Sequence, residues 1–149
     1  MRITIVAVGR AKQGPERDLF RHYLNRINQP IDVKEVEAKS GGDIMRREGE
    51  KLLAGLPPSA IIVALDERGK ELSSRQLASS IAGWRDQGCR DLAFLIGGAD
   101  GLDKRVRERA DLLLSFGRVT WPHMLMRGML AEQIYRAQCI LAGHPYHRD

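Results

Sequence analysis

The chain has 149 residues, 43% apolar and 29% charged, a balance ordinary for a soluble globular protein. No stretch approaches the roughly 20 apolar residues of a membrane span, and one domain over 1–149 is expected, burying roughly 70% of its unfolded surface. Cys89 and Cys139 lie far apart in no metal-ligand or redox spacing, which argues for a reduced cytoplasmic chain, and the net charge of +5 favours a polyanion, RNA before membrane.

Residues Ile3–Val8 form a β-branched run suited to a strand buried on both faces, with no cleavage site after it. Pro15 opens a helix that carries Leu19, Tyr23 or Leu24, and Ile27 at helical spacing. Ile31–Val36 alternates like a shorter strand. Asp43 reads as the N-cap of a charged amphipathic helix that Pro57–Pro58 ends. A second buried run, Ala60–Leu65, leads into a loop, DERGKELSS. Ser73 or Ser74 caps the next helix, and Gly88 stops it. Asp91–Ile96 is another buried strand, opening into GGADGL. The short helix KRVRERA and the apolar stretch DLLLSF follow. The longest helix spans His123–Ala142 and ends at Gly143. Strands alternate with helices throughout, so the expected class is α/β, a three-layer Rossmann-like fold with a mostly parallel sheet. Ligands of such sheets sit beyond the carboxyl ends of the strands.

Several chemistries are disfavoured. Gly9 and Gly14 are followed by Pro15–Glu16, not the Lys–Ser/Thr of a triphosphate loop, and no GxGxxG follows the first strand. Asp66, Asp100 and Asp103 sit at no metal-ligand spacing, so no metal is expected. The loop Gly97–Gly101 is the strongest local feature, because glycines after a buried strand let backbone approach a ligand closely. Asp66 and Glu67 suit polar contacts, but turn chemistry and a helix cap account for them more simply.

On the last helix, Met126, Leu130, Ile134, Ala137 and Leu141 form a core stripe. A second line, Met124, Gly128, Ala131 and Tyr135, is small in its middle and favours a homodimer interface over further intrachain cover. Glu132 and Arg136 stand at i,i+4 in the favourable order, and Arg127 and Arg136 are also candidates to meet phosphate. His123 at the helix start opposes the helix dipole and is expected neutral. The chain ends HPYHRD. Taken by themselves such residues are a solvated stump, although His144, Tyr146 and His147 also suit stacking on an exposed base.

The segments LDERGKELSS, FLIGGADGL, TWPHMLMRGMLAEQIYRA and HPYHR together resemble the bacterial SPOUT-class methyltransferases that act on large-subunit ribosomal RNA. The likeness covers essentially the whole chain. It implies a C-terminal trefoil knot, an exception to the rule against knots. It also implies S-adenosylmethionine as cofactor, a homodimer through the last helix, and methylation of N3 of a pseudouridine in 23S rRNA within the ribosome. Cofactor contacts carried over fall at Leu65, at Gly97 and Gly98, and along Gly117, Arg118, Val119, Thr120, Trp121 and Pro122. The tail then becomes a lid over a neighbouring site, with His147 or Tyr146 assisting deprotonation and His123 and Glu132 as further candidate bases. Arg136, Arg127 and Arg148 hold phosphate or the developing anion, and His144 joins the RNA contacts. Two alternatives stay open at this level: a non-enzymatic ribosome-binding factor, and a SPOUT enzyme acting on another RNA position.

Overall fold

The computed structural model describes all of residues 1–149. Five strands and five helices alternate: β1 (Arg2–Val8), α1 (Pro15–Leu24), β2 (Ile31–Val36), α2 (Ile44–Ala54), β3 (Ile61–Glu71), α3 (Ser74–Asp86), β4 (Asp91–Ile96), α4 (Lys104–Arg109), β5 (Leu112–Ser115) and α5 (His123–Ala142). All pairings are parallel, in the order β2-β1-β4-β3-β5. The apolar runs occupy the inner strands, where both faces are covered. Along β1, Ile3, Ile5 and Ala7 join the core beneath α1, α3 and α5, while Val6 and Val8 join the smaller core beneath α2 and α4. Period two on a strand thus divides one sequence run between two cores. β2 forms one edge and is mostly exposed.

The stretch after Leu65 departs from expectation. It is not a free loop, because β3 continues to Glu71 after a break in register. Leu65 and Lys70 both pair with Leu114, so Asp66–Gly69 bulge out and the strand then rejoins β5. Gly69 permits this, since a Cβ there would lie 2.5 Å from the Leu113 carbonyl oxygen.

Helix boundaries agree with the sequence reading more closely than the caps do. Ser73 and Gln76 form a reciprocal capping box on α3, and Gly143 ends α5 in the left-handed region at φ 70°. Asp43, by contrast, has φ 57° and its side chain caps nothing. The loop before α2 is tied instead by Arg47, which donates to the carbonyls of Lys39, Gly41 and Gly42.

α5 also differs from its sequence pattern. Leu130, Ile134 and Ala137 are buried as expected, but Leu141 is 40% exposed. The small-residue line is filled from within the chain: a Cβ on Gly128 would lie 2.9 Å from Leu19 of α1, and Ala131 is fully buried. Those small side chains let α1 approach α5 and give no argument for a second copy.

Candidate functional site

A cleft of about 570 Å³ opens at the carboxyl ends of β3, β4 and β5. Three loops surround it: the β3 bulge, the turn after β4, and the connection from β5 to α5. Leu65, Gly97, Gly98, Gly117, Val119, Thr120, Trp121 and Pro122 all line it. Arg118 does not. His123 and Met126, in the first turn of α5, close one side.

Close packing behind the wall explains the glycines, by backbone at Gly97 and by a side chain at Gly98. A Cβ on Gly97 would stand 2.9 Å from the Gly101 carbonyl oxygen, and one on Gly98 would stand 2.9 Å from Glu48 Oε2. The turn closes through Gly101 N–H donating to the Gly98 carbonyl at 3.1 Å. Opposite, Ser115 Oγ donates to the Glu67 carbonyl at 3.1 Å and accepts from Gly117 N–H at 3.1 Å. Trp121 Nε1 donates to the Phe116 carbonyl at 3.1 Å, and Thr120 Oγ1 reaches Glu67 Oε2 at 3.4 Å. Asp66 folds into its own turn, accepting from Arg68 N–H at 2.8 Å. Glu48 lies behind Gly98; burial first, then the nearby Asp100 charge, raise its pKa.

The chain end is packed, not a stump. Gly143 and His144 N–H groups return to the carbonyls of Ile140 and Cys139, turning the tail back along α5. Tyr146 hydroxyl donates to Glu132 Oε1 at 2.9 Å, and its ring lies edge-on to Tyr135, centroids 4.7 Å apart. The Arg136 guanidinium pairs with Glu132, sits 4.8 Å from the Tyr146 ring centroid and contacts His147 Nδ1 at 3.0 Å. His147 Nε2 then meets Asp149 at 3.0 Å, and Asp149 accepts from Arg75 of α3 at 2.7 Å. The Arg75 bond first, then His147, bring the Asp149 carboxyl down to about 2. For Tyr146, burial first and then the neighbouring Tyr23 and Glu132 push the phenol up. It is a hydrogen-bond donor at neutral pH, not a base. His144 accepts from Tyr146 N–H at 3.2 Å, and Arg148 is exposed.

Within one chain these two groups do not meet, since no tail residue lines the cleft. Between them, a cavity of about 590 Å³ bounded by Glu132, Gln133 and Gly128 shares the wall Leu114, Phe116 and Gly117 with the cleft. Glu132 therefore anchors the tail from the far side of the β5–α5 connection.

Arg127 corrects the expectation of a phosphate contact. It is 1% exposed, pairs with Glu35 and donates to the carbonyls of Val8 and Gly9 at 3.2 and 2.9 Å. A guanidinium so enclosed ties α5 to the β1–β2 edge and cannot reach a phosphate directly. Sequence reading missed Glu35 because β2 offers several exposed charges and nothing in their spacing marks the one that α5 meets. Glu48 was missed likewise, lying on a helix whose charges look solvent-facing.

Residues 1–147 match the family model described as predicted SPOUT methyltransferase. The chain is 61% identical to the ribosomal RNA large subunit methyltransferase H of Rhodospirillum centenum, over 99% of both chains. It is 60% identical to that of Paramagnetospirillum magneticum, again over 99% of each. Among solved structures, a probable methylase family protein from Haemophilus influenzae aligns with TM-score 0.61 at 11% identity, over 99% of this chain and 70% of the other. The SpoU methyltransferase AviRb from Streptomyces viridochromogenes, solved with AdoMet, aligns with TM-score 0.50 at 14% identity, over 92% and 58%. At those identities the structures speak for the fold alone. Together, the match over nearly the whole chain and the parallel sheet with its glycine-walled cleft show that the chain belongs to the SPOUT methyltransferases, in the ribosomal RNA large subunit methyltransferase H family.

Proposed function

We propose that this chain methylates N3 of a pseudouridine in 23S rRNA, on the assembled ribosome, with S-adenosylmethionine as donor. The observation that carries the reading is the cleft, walled by glycines where a Cβ on Gly97 would collide with the Gly101 main chain and one on Gly98 with the Glu48 carboxylate. Its volume, about 570 Å³, lies in the range of small-molecule sites. Leu65, Gly97, Gly98 and the 117–122 segment are the residues that would hold an adenosyl group there. When bound, that cofactor supplies an electrophilic methyl on a sulfonium. The protein's own tasks are to hold the base in line, remove its imide proton and exclude water.

His147 is the proposed proton acceptor, through the Nδ1 lone pair that Arg136 occupies until the substrate's developing charge draws the guanidinium away. Tyr146, kept protonated, donates to the base or orients it, and Arg136 faces the developing negative charge. His123, at the cleft wall, remains the second candidate for the proton. One chain holds its tail away from its own cleft, so the site is completed by a second copy whose tail covers it. This makes the homodimer a catalytic requirement. The proposed route of the 116–123 segment is the family's trefoil knot, which would hold the cleft loops against one another.

The test is complementation between two impaired chains. One lacks His144–Asp149 and the other carries Gly97→Val. Mixed with unmethylated ribosomes and labelled S-adenosylmethionine at a concentration below what the Gly97→Val cleft needs, they are expected to give transfer well above the sum of the two chains alone. No such gain overturns the shared site. If calorimetry finds no S-adenosylmethionine binding to the wild-type chain, the enzyme reading itself fails.

A further inference from the structure

A second groove, of about 320 Å³, lies between the β1–α1 loop, the first turn of α1 and the start of α5. Arg10, Lys12, Arg17 and Arg127 line it together with Glu16, and Glu35, which accepts from Ala11 N–H at 2.7 Å, neutralises Arg127 at its floor. Arg10 shares an exposed pair with Glu37 at 3.4 Å, an interaction that water makes weak and easily exchanged. Lys12 and Arg17 pair with no carboxylate. Arg127 lies beneath them, almost wholly buried. Its Nε is enclosed without a hydrogen-bond partner, although its other nitrogens are bonded. The N-cap of α1, Gly14, offers no side-chain acceptor, and the acidic Glu16 and Asp18 of the first turn offset the positive end of that helix, so the groove's pull on an anion comes from its side chains.

The groove and the cleft meet at the first turn of α5. Met124 lines the groove, while His123 and Met126 line the cleft. Gly9 lies at the join, where a Cβ would meet Met124 Cε at 3.2 Å and His123 Nε2 at 3.8 Å. A polyanion that enters the cleft with one unit therefore has Lys12 and Arg17 within the adjoining groove for its next unit.

We propose that this groove holds the phosphate backbone of the RNA substrate beside the nucleotide whose base enters the cleft. Lys12 and Arg17 make the principal contacts, and Arg10 joins them by exchanging Glu37 for phosphate. Arg127, neutralised by Glu35, forms the floor beneath them without touching the RNA. The inference rests on the RNA methyltransferase reading above and adds the element that grips the strand.

The experiment compares wild type with Lys12→Glu/Arg17→Glu, using ribosomes that lack the modification and a range of salt concentrations. The double variant is expected to raise KM for ribosomes at least about tenfold. It should also flatten the log–log salt dependence by about one for each phosphate that the protein no longer neutralises. Affinity for S-adenosylmethionine and the thermal midpoint stay unchanged, and Lys12→Arg/Arg17→Lys restores KM. An unchanged KM and salt slope would overturn the groove's role. Equal weakening of cofactor binding would also overturn it, by showing that the cleft had been disturbed. If wild type itself methylates no ribosomes, the failure lies with the underlying function and not with the groove.

Discussion

Around the cleft, the contacts that set shape run largely through main chain: Gly97 against the Gly101 carbonyl, Gly69 against Leu113, Trp121 donating to the Phe116 carbonyl. In the C-terminal network, the Glu132–Arg136–Tyr146–His147–Asp149 chain is made of side chains. The difference teaches how each region tolerates change. A backbone-built wall accepts different side chains wherever they stand outside the lining, as the exposed Arg118 does. A side-chain network depends on the identity of each member.

Removing the tail is the severest way to test that contrast. Deleting His144–Asp149 is expected to lower transfer by about 10²–10⁴, the range of general acid–base catalysis, while S-adenosylmethionine affinity stays near wild type by calorimetry. Equal loss of both would erase the division between the regions.

Arg127 belongs to neither region and locks the start of α5 to β1. Arg127→Ala is expected to cost about 3 kcal/mol in urea unfolding, since it removes a buried, charge-assisted set of hydrogen bonds. Burial raises the pKa of its partner Glu35, but the bonds from Arg127 and from Ala11 N–H outweigh that and hold the group below its ordinary 4.5. Stability from this carboxylate is fully present above the unfolded value and is lost as pH falls through the lower folded one. Unfolding midpoints measured across that acid limb should therefore fall less steeply for Glu35→Gln than for wild type.

On the cleft side, Gly97→Val forces a side chain against the Gly101 carbonyl. Overpacking of about 1–3 kcal/mol, if all of it falls on the bound state, corresponds to a loss of about 5–150-fold in cofactor affinity. By contrast Arg118→Ala, at a position outside the lining, should leave the dissociation constant unchanged.

Among the changes that touch the site, the smallest loss is expected from Tyr146→Phe. It loses one hydrogen bond to Glu132 and keeps the ring on Arg136 and Tyr135, so transfer should fall less than about tenfold. Abolition of transfer by this change, with His147→Ala retaining it, would exchange the roles assigned to the two residues.

Much of the fold was legible in the sequence. Ile3–Val8, Ala60–Leu65 and Asp91–Ile96 read as buried strands because apolar runs of that length have few other uses in a chain alternating with helices. The cleft's glycines were equally plain, standing immediately after those strands. The tail was harder. Its contacts to Glu132 depend on a reversal at Gly143, and residue types alone favoured a solvated end. The Asp66–Gly69 bulge and the partner of Arg127 had no local signal at all.

What the amino-acid order determined by itself was local: strand and helix periods, the capping box at Ser73, the stop at Gly143, and where Cβ atoms are missing beside a ligand loop. These follow from backbone sterics and short-range hydrogen bonds. Tertiary structure alone decided which distant groups meet. Arg127 finds Glu35 across 92 positions, α1 takes the small face of α5, and one chain's tail is kept from its own cleft. Such pairings depend on the sheet order and on close packing around it, and neither leaves a period in the sequence.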